Sequence, residues 1–218
     1  MADQAALYRL QGICKSFGRV EALRDVDIDV QKGEIIGLVG DNGAGKSTLI
    51  KILSGIYPPG EQKHIASYRN IFMGNEVVSP FGFMAKRRMR DITRRLLRES
   101  ISIGLTDPDQ TVGELSGGQK QAVAIVRAIH FKARLLLLDE PTNALSVKES
   151  QQVMAFVKGL RDEGISSIFV THNLFHVHSI ADRFVILNRG VKVGDYRKSE
   201  ISIEKLEEII VAGAEQSA

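Results

Sequence analysis

The 218-residue chain predicts an α/β fold around a largely parallel sheet. Three observations carry this. Short, nearly continuous apolar runs recur at Glu34–Val39, Leu135–Leu138 and Ile165–Val170, as expected of strands buried on both faces. Segments with helical apolar spacing alternate with them. The first run ends in a glycine-rich loop that opens a helix. In order, Leu7–Ile13 and Asp25–Val30 alternate as strands, joined through Gly18 and closed by the Lys32-Gly33 turn. After the glycine loop, Leu49, Ile50, Ile52, Leu53 and Ile56 lie on a helix that Pro58-Pro59-Gly60 stops. A second unit starts at Gly117, with Ala122, Ile125, Val126 and Ile129 leading into the run at Leu135. A third helix covers Ser146 to Glu163. Its Ser146-Val147-Lys148-Glu149 start is a capping box, and Val153, Phe156, Val157 and Leu160 form its apolar face. Phe184–Leu187 and Val191–Val193 predict a hairpin through Asn188-Arg189-Gly190, and Ile203–Val211 an amphipathic final helix.

Hydrophobic residues make up 44% of the chain and charged residues 25%, the balance of a globular protein with a sizeable core. No apolar run approaches the ~18 residues of a membrane span, and the first ten residues lack the basic-then-apolar pattern of a secretory signal. The reading is a cytosolic protein whose membrane role would run through a partner. A single cysteine, Cys14, excludes an internal disulfide and every multi-cysteine metal site. Net charge is +3, concentrated between Lys86 and Arg98, where seven basic residues face Asp91 alone while Met89, Ile92 and Leu96 recur at helical spacing. A solvated basic face over a core-facing stripe is the preferred reading; a surface for phosphate or an acidic partner is the alternative. No aromatic residue interleaves the arginines, which argues against a stacking platform for single-stranded nucleic acid.

Three constellations carry chemistry. Gly40-Asp41-Asn42-Gly43-Ala44-Gly45-Lys46-Ser47 matches the phosphate-binding P-loop and lies between a buried strand and a helix, the context the motif requires. Its glycines let backbone amides face phosphate oxygens, and the following helix presents the positive end of its dipole. Lys46 offers a compact charge to the β and γ phosphates, and Ser47 a hydroxyl to Mg²⁺. Asp139-Glu140 ends a buried strand where ligands meet open α/β sheets. There Asp139 suits Mg²⁺ held through water, and Glu140 suits orienting and deprotonating a water molecule. Leu115-Ser116-Gly117-Gly118-Gln119 is the third; by average composition this pentapeptide arises by chance on the order of once in several thousand chains of this length. His172, His176 and His178 offer a rival zinc reading, with the first two spaced as on one helix face, but no carboxylate or cysteine completes the set locally.

P-loop, LSGGQ, Asp139-Glu140 and Thr171-His172 follow one another as in ABC-transporter ATPase subunits. GDNGAGKSTLIKILSGIYPP, RNIFMGNE, SGGQKQAVAIVRAI, LLLLDEPTNALSVKES and VTHN extend the likeness from about Leu7 to Glu208, and resemble the ATP-binding subunits of bacterial monosaccharide importers. The resemblance implies one ABC ATPase domain over 1–218, of P-loop NTPase type, with N-terminal antiparallel strands, a mainly parallel central sheet and a helical subdomain over about 71–116. It implies ATP as substrate with Mg²⁺, a homodimer or paired ATPase subunit, a transmembrane permease as partner, and a peripheral position on the inner face of the membrane. No nucleic acid is expected. Residue by residue, Phe17 matches the aromatic that stacks on adenine, although an aromatic there is more often simply core. The P-loop through Thr48 binds the phosphates, and His172 matches the histidine that contacts the γ-phosphate. Ser116 and Gly118, within the signature, would face the nucleotide held by the partner's P-loop. Asn143-Ala144-Leu145-Ser146 matches the loop spanning the dimer; many relatives carry Asp at Ser146, whose capping role serine fills equally well.

The likeness breaks between Gly60 and Ile71, where the family carries further antiparallel strands and a glutamine loop that touches Mg²⁺. Gln62 is the nearby glutamine, closer to Asn70-Ile71-Phe72 than the pattern places it. A true deletion would expose apolar surface. Residues missing from the sequence as read are therefore preferred, which predicts a step wider than ~3.8 Å between successive Cα atoms somewhere from Gly60 to Ser67. The expected function is ATP hydrolysis that energises a permease, most simply import of a sugar. The alternatives are an ABC-class ATPase acting on nucleic acid or ribosomes, a P-loop kinase, and a subunit that binds ATP with impaired hydrolysis.

Overall fold

The computed structural model describes residues 6–54, 84–100, 107–130, 133–143 and 145–215. Gln62 and the step expected from Gly60 to Ser67 lie outside the described residues. Strands β1 (Tyr8–Phe17), β2 (Val20–Val30), β3 (Ile35–Val39), β4 (Leu135–Asp139), β5 (Ser166–Val170), β6 (Arg183–Asn188) and β7 (Val191–Arg197) form two sheets. The helices are α1 (Lys46–Ser54), α2 (Lys86–Ser100), α3 (Gly117–His130), α4 (Val147–Asp162), α5 (Leu174–Ile180) and α6 (Ile203–Glu215). Among the described residues, none of these is long and apolar enough to cross a membrane.

Contacts divide the chain into two compact units, one of residues 1–58, 134–141 and 157–218, the other of 59–133 and 142–156. In the first, β1 and β2 pair antiparallel as a hairpin whose pairing runs to Phe17–Val20, beyond the expected end at Ile13. The second sheet has the order β4-β5-β3-β6-β7. β3 pairs parallel with β5 and β6, β4 parallel with β5, and β7 antiparallel with β6 through the expected hairpin. Every residue of β3 and β5 is buried, which is why these strands read as unbroken apolar runs. Ser166 and Ser167 are the polar exceptions in β5, and the Ser166 hydroxyl donates to the Gln31 carbonyl at 2.8 Å and accepts the Gly33 N–H at 2.9 Å. Alternate residues of β2 (Val26, Ile28, Val30) pack with Leu38, Leu49, Ile168 and Val185, so the hairpin and α1 share one core with the sheet. Helix α5 was not foreseen. Seven residues are too few for a clear period, and its start is fixed by Asn173, whose side chain accepts the His176 N–H at 3.1 Å.

In the second unit, Met89 and Leu97 of α2 cluster with Leu115 and with Val123 and Val126 of α3; Ile92 and Leu96 flank them. The apolar stripe of the basic segment is thus a core stripe, and Lys86, Arg87, Arg88 and Arg95 remain exposed. Of the helical subdomain expected over about 71–116, residues 71–83 and 101–106 lie outside the described residues. The cap of α4 forms as expected, with Ser146 N–H donating to Glu149 Oε2 at 2.9 Å and Glu149 N–H to Ser146 Oγ at 3.3 Å. The backbone amide and the hydroxyl of Ser146 hold the Glu149 carboxyl below its ordinary pKa.

The amino ends of the central strands are joined by charge. Arg183, only 15% exposed, donates to Glu34 at 2.8 Å and reaches Asp195 and Asp29, tying β6 to the β2–β3 junction and to β7. Burial pushes the Glu34 carboxyl up in spite of this partner. Burial also acts to raise Asp29, but hydrogen bonds from Gln31 and the Arg183 charge outweigh it and leave that carboxyl lowered. Arg183→Met leaves these acids without their shared cation, and a loss on the order of 3 kcal/mol in urea unfolding is the expected outcome.

Candidate functional site

The phosphate loop begins where β3 ends, and its shape depends on two close approaches. Gly40 has φ +144°, and a Cβ there would overlap the Leu187 carbonyl of β6; Gly45 has φ +98°, and a Cβ there would stand 2.6 Å from the Ala22 carbonyl of β2. Only glycine meets both demands. The loop is then closed by its own bonds: Ala44 N–H donates to the Asp41 carbonyl at 3.1 Å, and Gly190 N–H, from the β6–β7 turn, to the Ala44 carbonyl at 3.0 Å. Lys46 begins α1 and is buried at 8% exposure. Its ammonium reaches back to the carbonyls of Gly40 at 2.7 Å and Asp41 at 2.8 Å. Burial lowers its pKa, while the charges of Glu140, Asp41 and Asp139 act to raise it. The cation is thus held beneath the loop, paired with neutral oxygens that a phosphate can replace.

Parallel pairing brings the carboxyl ends of β3, β4 and β5 to one edge of the sheet, and the P-loop, Asp139-Glu140 and His172 arrive with their strands. Asp139 closes β4, and its Oδ1 lies 3.5 Å from the Ser47 hydroxyl. Glu140 follows in a left-handed conformation (φ +49°), with its N–H bonded to the Val170 carbonyl of β5 at 2.9 Å. A left-handed glutamate is strained, and Pro141 behind it disfavours the right-handed helical alternative. The turn points Glu140 Oε1 at His172 Nδ1, 3.1 Å away, and leaves the buried Oε2 without a hydrogen-bond partner among the described residues. His172 itself is 62% exposed. It precedes the Asn173 cap, so His172 and His176 do not share a helix face, and the spacing argument for zinc does not apply.

Asp139 and Glu140 border a cleft of about 490 Å³ lined also by the loop residues Asn42 to Thr48, Val170, Arg189 and Val20 to Ala22 of β2, whereas His172 lines a second cleft with Gly40 and Asp41. That volume suits a small-molecule ligand. A phosphate fits the donors present: among the described residues, apart from its chain neighbours, no heavy atom lies within 4 Å of where a Cβ on Gly43 would stand, and Lys46, Ser47 and Thr48 at the start of α1 belong to the same lining. A divalent cation fits the adjacent Ser47 hydroxyl and Asp139 carboxylate, both hard oxygen donors. Phe17 stands outside the lining. It is 54% exposed rather than core, with the Lys15 ammonium 5.2 Å from its ring centroid. Arg189 and Val20 to Ala22 were not anticipated, because only the packing of two hairpins against the loop brings them there.

In the second unit the pentapeptide is a helix start. Ser116 N–H donates to Gln119 Oε1 at 3.0 Å, and Gln119 N–H to Ser116 Oγ at 3.3 Å, a reciprocal cap of α3. Gly117 and Gly118 lie in the first turn, where amides have no intrahelical acceptor, and Leu115 is buried as their anchor. Serine and glutamine of the motif thus shape the helix end, with Gly117 exposed and Gly118 buried behind it.

A P-loop between a parallel strand and a helix, with an acid pair on the next strand but one, defines a P-loop nucleotide-binding fold. The sequence profile described as ABC transporter matches residues 23–143, and the chain belongs to that family. It is 36% identical over 240 aligned positions to the xylose/arabinose import ATP-binding protein XylG of Sulfolobus acidocaldarius, covering 95% of each chain. It is 32% identical to the ribose import ATP-binding protein RbsA of Hahella chejuensis over 94% of its own length, but spans only 47% of that protein. Since 95% of 218 residues is about 207, about 33 of the 240 aligned positions are gaps on this chain's side, in keeping with the shortened stretch seen in the sequence. Among solved structures, a nucleotide-free ATP-binding cassette from an ABC transporter superposes with TM-score 0.73 at 23% identity, covering 93% of this chain and 94% of that one. A dimeric bacterial ABC transporter cassette gives TM-score 0.71 at 22% identity, covering 87% and 98%.

The close approach at Gly40 is open to direct test. Gly40→Ala is expected to destabilise the protein by about 1–3 kcal/mol, from overlap and positive φ together, read as a lowered Tm.

Proposed function

We propose that this chain is the ATP-hydrolysing subunit of a transporter that imports a simple sugar, most closely a pentose, through a membrane permease. The observation that carries the reading is 36% identity across 95% of both chains to a xylose/arabinose import ATP-binding protein, in a chain whose P-loop, Asp139, Glu140 and His172 share one edge of the sheet. The protein then works from the cytoplasmic face of the membrane, bound to its permease.

In this reading the P-loop amides and the α1 amino end bind the phosphates, and Lys46 exchanges the Gly40 and Asp41 carbonyls for β and γ oxygens. Ser47 and Asp139 hold Mg²⁺, which neutralises charge on those oxygens when bound. Glu140 takes the proton of the attacking water on its unpartnered Oε2, while His172 orients the carboxylate through Oε1 and faces the γ-phosphate. The products are ADP and inorganic phosphate. Phe17 stacks on adenine, and the Ser116 hydroxyl with the Gly117 and Gly118 amides of a second copy completes each site, so two copies meet head to tail. The signature is a capped helix start, built to offer amides to an anion.

Two variants separate binding from chemistry. Lys46→Ala should weaken ATP binding, followed with a fluorescent nucleotide. Glu140→Gln should keep binding, lose about 10²–10⁴-fold in phosphate release and accumulate an ATP-bound dimer in sedimentation. Full turnover in Glu140→Gln would remove the proposed base. The exposed cations of α2 form the face proposed to dock on the permease. Replacing Arg94 and Arg95 by glutamate should reduce co-purification with the permease while isolated ATPase activity persists; unchanged association would count against that face.

A further inference from the structure

We infer that Arg189, at the tip of the β6–β7 hairpin, is a nucleotide-binding residue that contacts the nucleoside-proximal phosphate and thereby sets affinity for nucleoside di- and triphosphates alike. The inference rests on the nucleotide reading of the cleft above.

The cleft is poor in accessible positive charge. Its lining carries three carboxylates, Glu21, Asp139 and Glu140, against two cations, Lys46 and Arg189. Lys46 is buried beneath the loop, whereas Arg189 is exposed at the mouth. A polyphosphate needs compensation along its length, and an arginine at the rim supplies a forked, permanently charged donor for it.

The turn that carries Arg189 is fixed to the phosphate loop on one side and to β2 on the other. The Gly190 N–H donates to the Ala44 carbonyl at 3.0 Å, and the Gly190 carbonyl accepts the Arg24 N–H at 2.7 Å. A Cβ at Gly190 would stand 2.7 Å from the Ala22 carbonyl, so the turn is pressed against β2 as well. Arg189 itself adopts φ +44°, a conformation that arginine rarely takes and that the packed turn imposes.

Position along the ligand follows from the two ends of the cleft. Lys46, Asp139 and Glu140 mark the end that takes the terminal phosphate. The nucleoside must leave toward the other wall, Val20 to Ala22, and that is the wall the Arg189 turn is built on. The contact therefore falls on the part of the ligand that ADP and ATP share.

Arg189→Asn removes the charge with a residue that accepts left-handed backbone, and Arg189→Lys keeps the charge without the fork. Competition of MgADP and MgATP against a fluorescent nucleotide reads both affinities, with Arg9→Asn, an exposed arginine on β1, as the charge control. Expected for Arg189→Asn is an equal weakening of ADP and ATP by roughly 5–20-fold, partly restored in Arg189→Lys, with an unchanged Tm. Unchanged affinities, a loss confined to ATP, or an equal loss in Arg9→Asn overturns the inference while leaving the nucleotide site intact. A wild-type chain that binds neither nucleotide overturns the underlying reading, a result separate from any behaviour of the variant.

Discussion

Lys46 is a buried ammonium whose bonded partners are neutral carbonyls, and the geometry of the P-loop exists to keep it so. A charged group in that setting is costly unless its donors are satisfied, and burial accordingly lowers its pKa. Gly40 and Asp41 turn their carbonyls toward it, which requires the loop to double back beneath its own first turn. That path brings Gly40 against β6 and Gly45 against β2, so the two glycines, the β1–β2 hairpin and the β6–β7 hairpin are consequences of placing one cation. In the proposed function phosphate oxygens, which bear more charge than those carbonyls, take their place.

The second constraint is the parallel sheet. Because β3, β4 and β5 run the same way, the P-loop, the acid pair and His172, separated by up to about 130 residues in the chain, reach one edge together. β5 lies between β3 and β4, and its Val170 carbonyl receives the Glu140 N–H that fixes the strained turn after Asp139. A buried carboxylate oxygen without a hydrogen-bond partner is unusual, and Glu140 Oε2 is one among the described residues, in keeping with the proton-accepting role proposed for it. At the opposite edge, the Arg183 cluster satisfies its groups among themselves and has the character of a structural clasp.

Much was legible from residue order. Buried strands announced themselves because both faces are covered, so β3 is apolar throughout and β5 after its two opening serines. The α4 cap was legible because serine and glutamate three residues apart act locally, and the stripe Met89, Ile92, Leu96 because helix period is local too. β1 was cut short at Ile13 because its remaining residues are mostly exposed and carry no apolar alternation; the pairing with β2 extends the strand, and pairing is not local. Helix α5 escaped for want of length.

Sequence alone therefore determined the groups whose meaning is local: a P-loop between strand and helix, an acid pair at a strand end, LSGGQ at a helix start, and with them the family. Tertiary structure alone decided which groups meet. Strand order β4-β5-β3 joined His172 to Glu140, left-handed backbone aimed that carboxylate, and hairpin packing carried Arg189 to the mouth of the cleft while leaving Phe17 outside its lining. The physical reason is that periodicity, capping and motif spacing depend on neighbours a few residues away. Strand order and turn docking are instead set by burial of whole faces, which no short stretch of sequence contains.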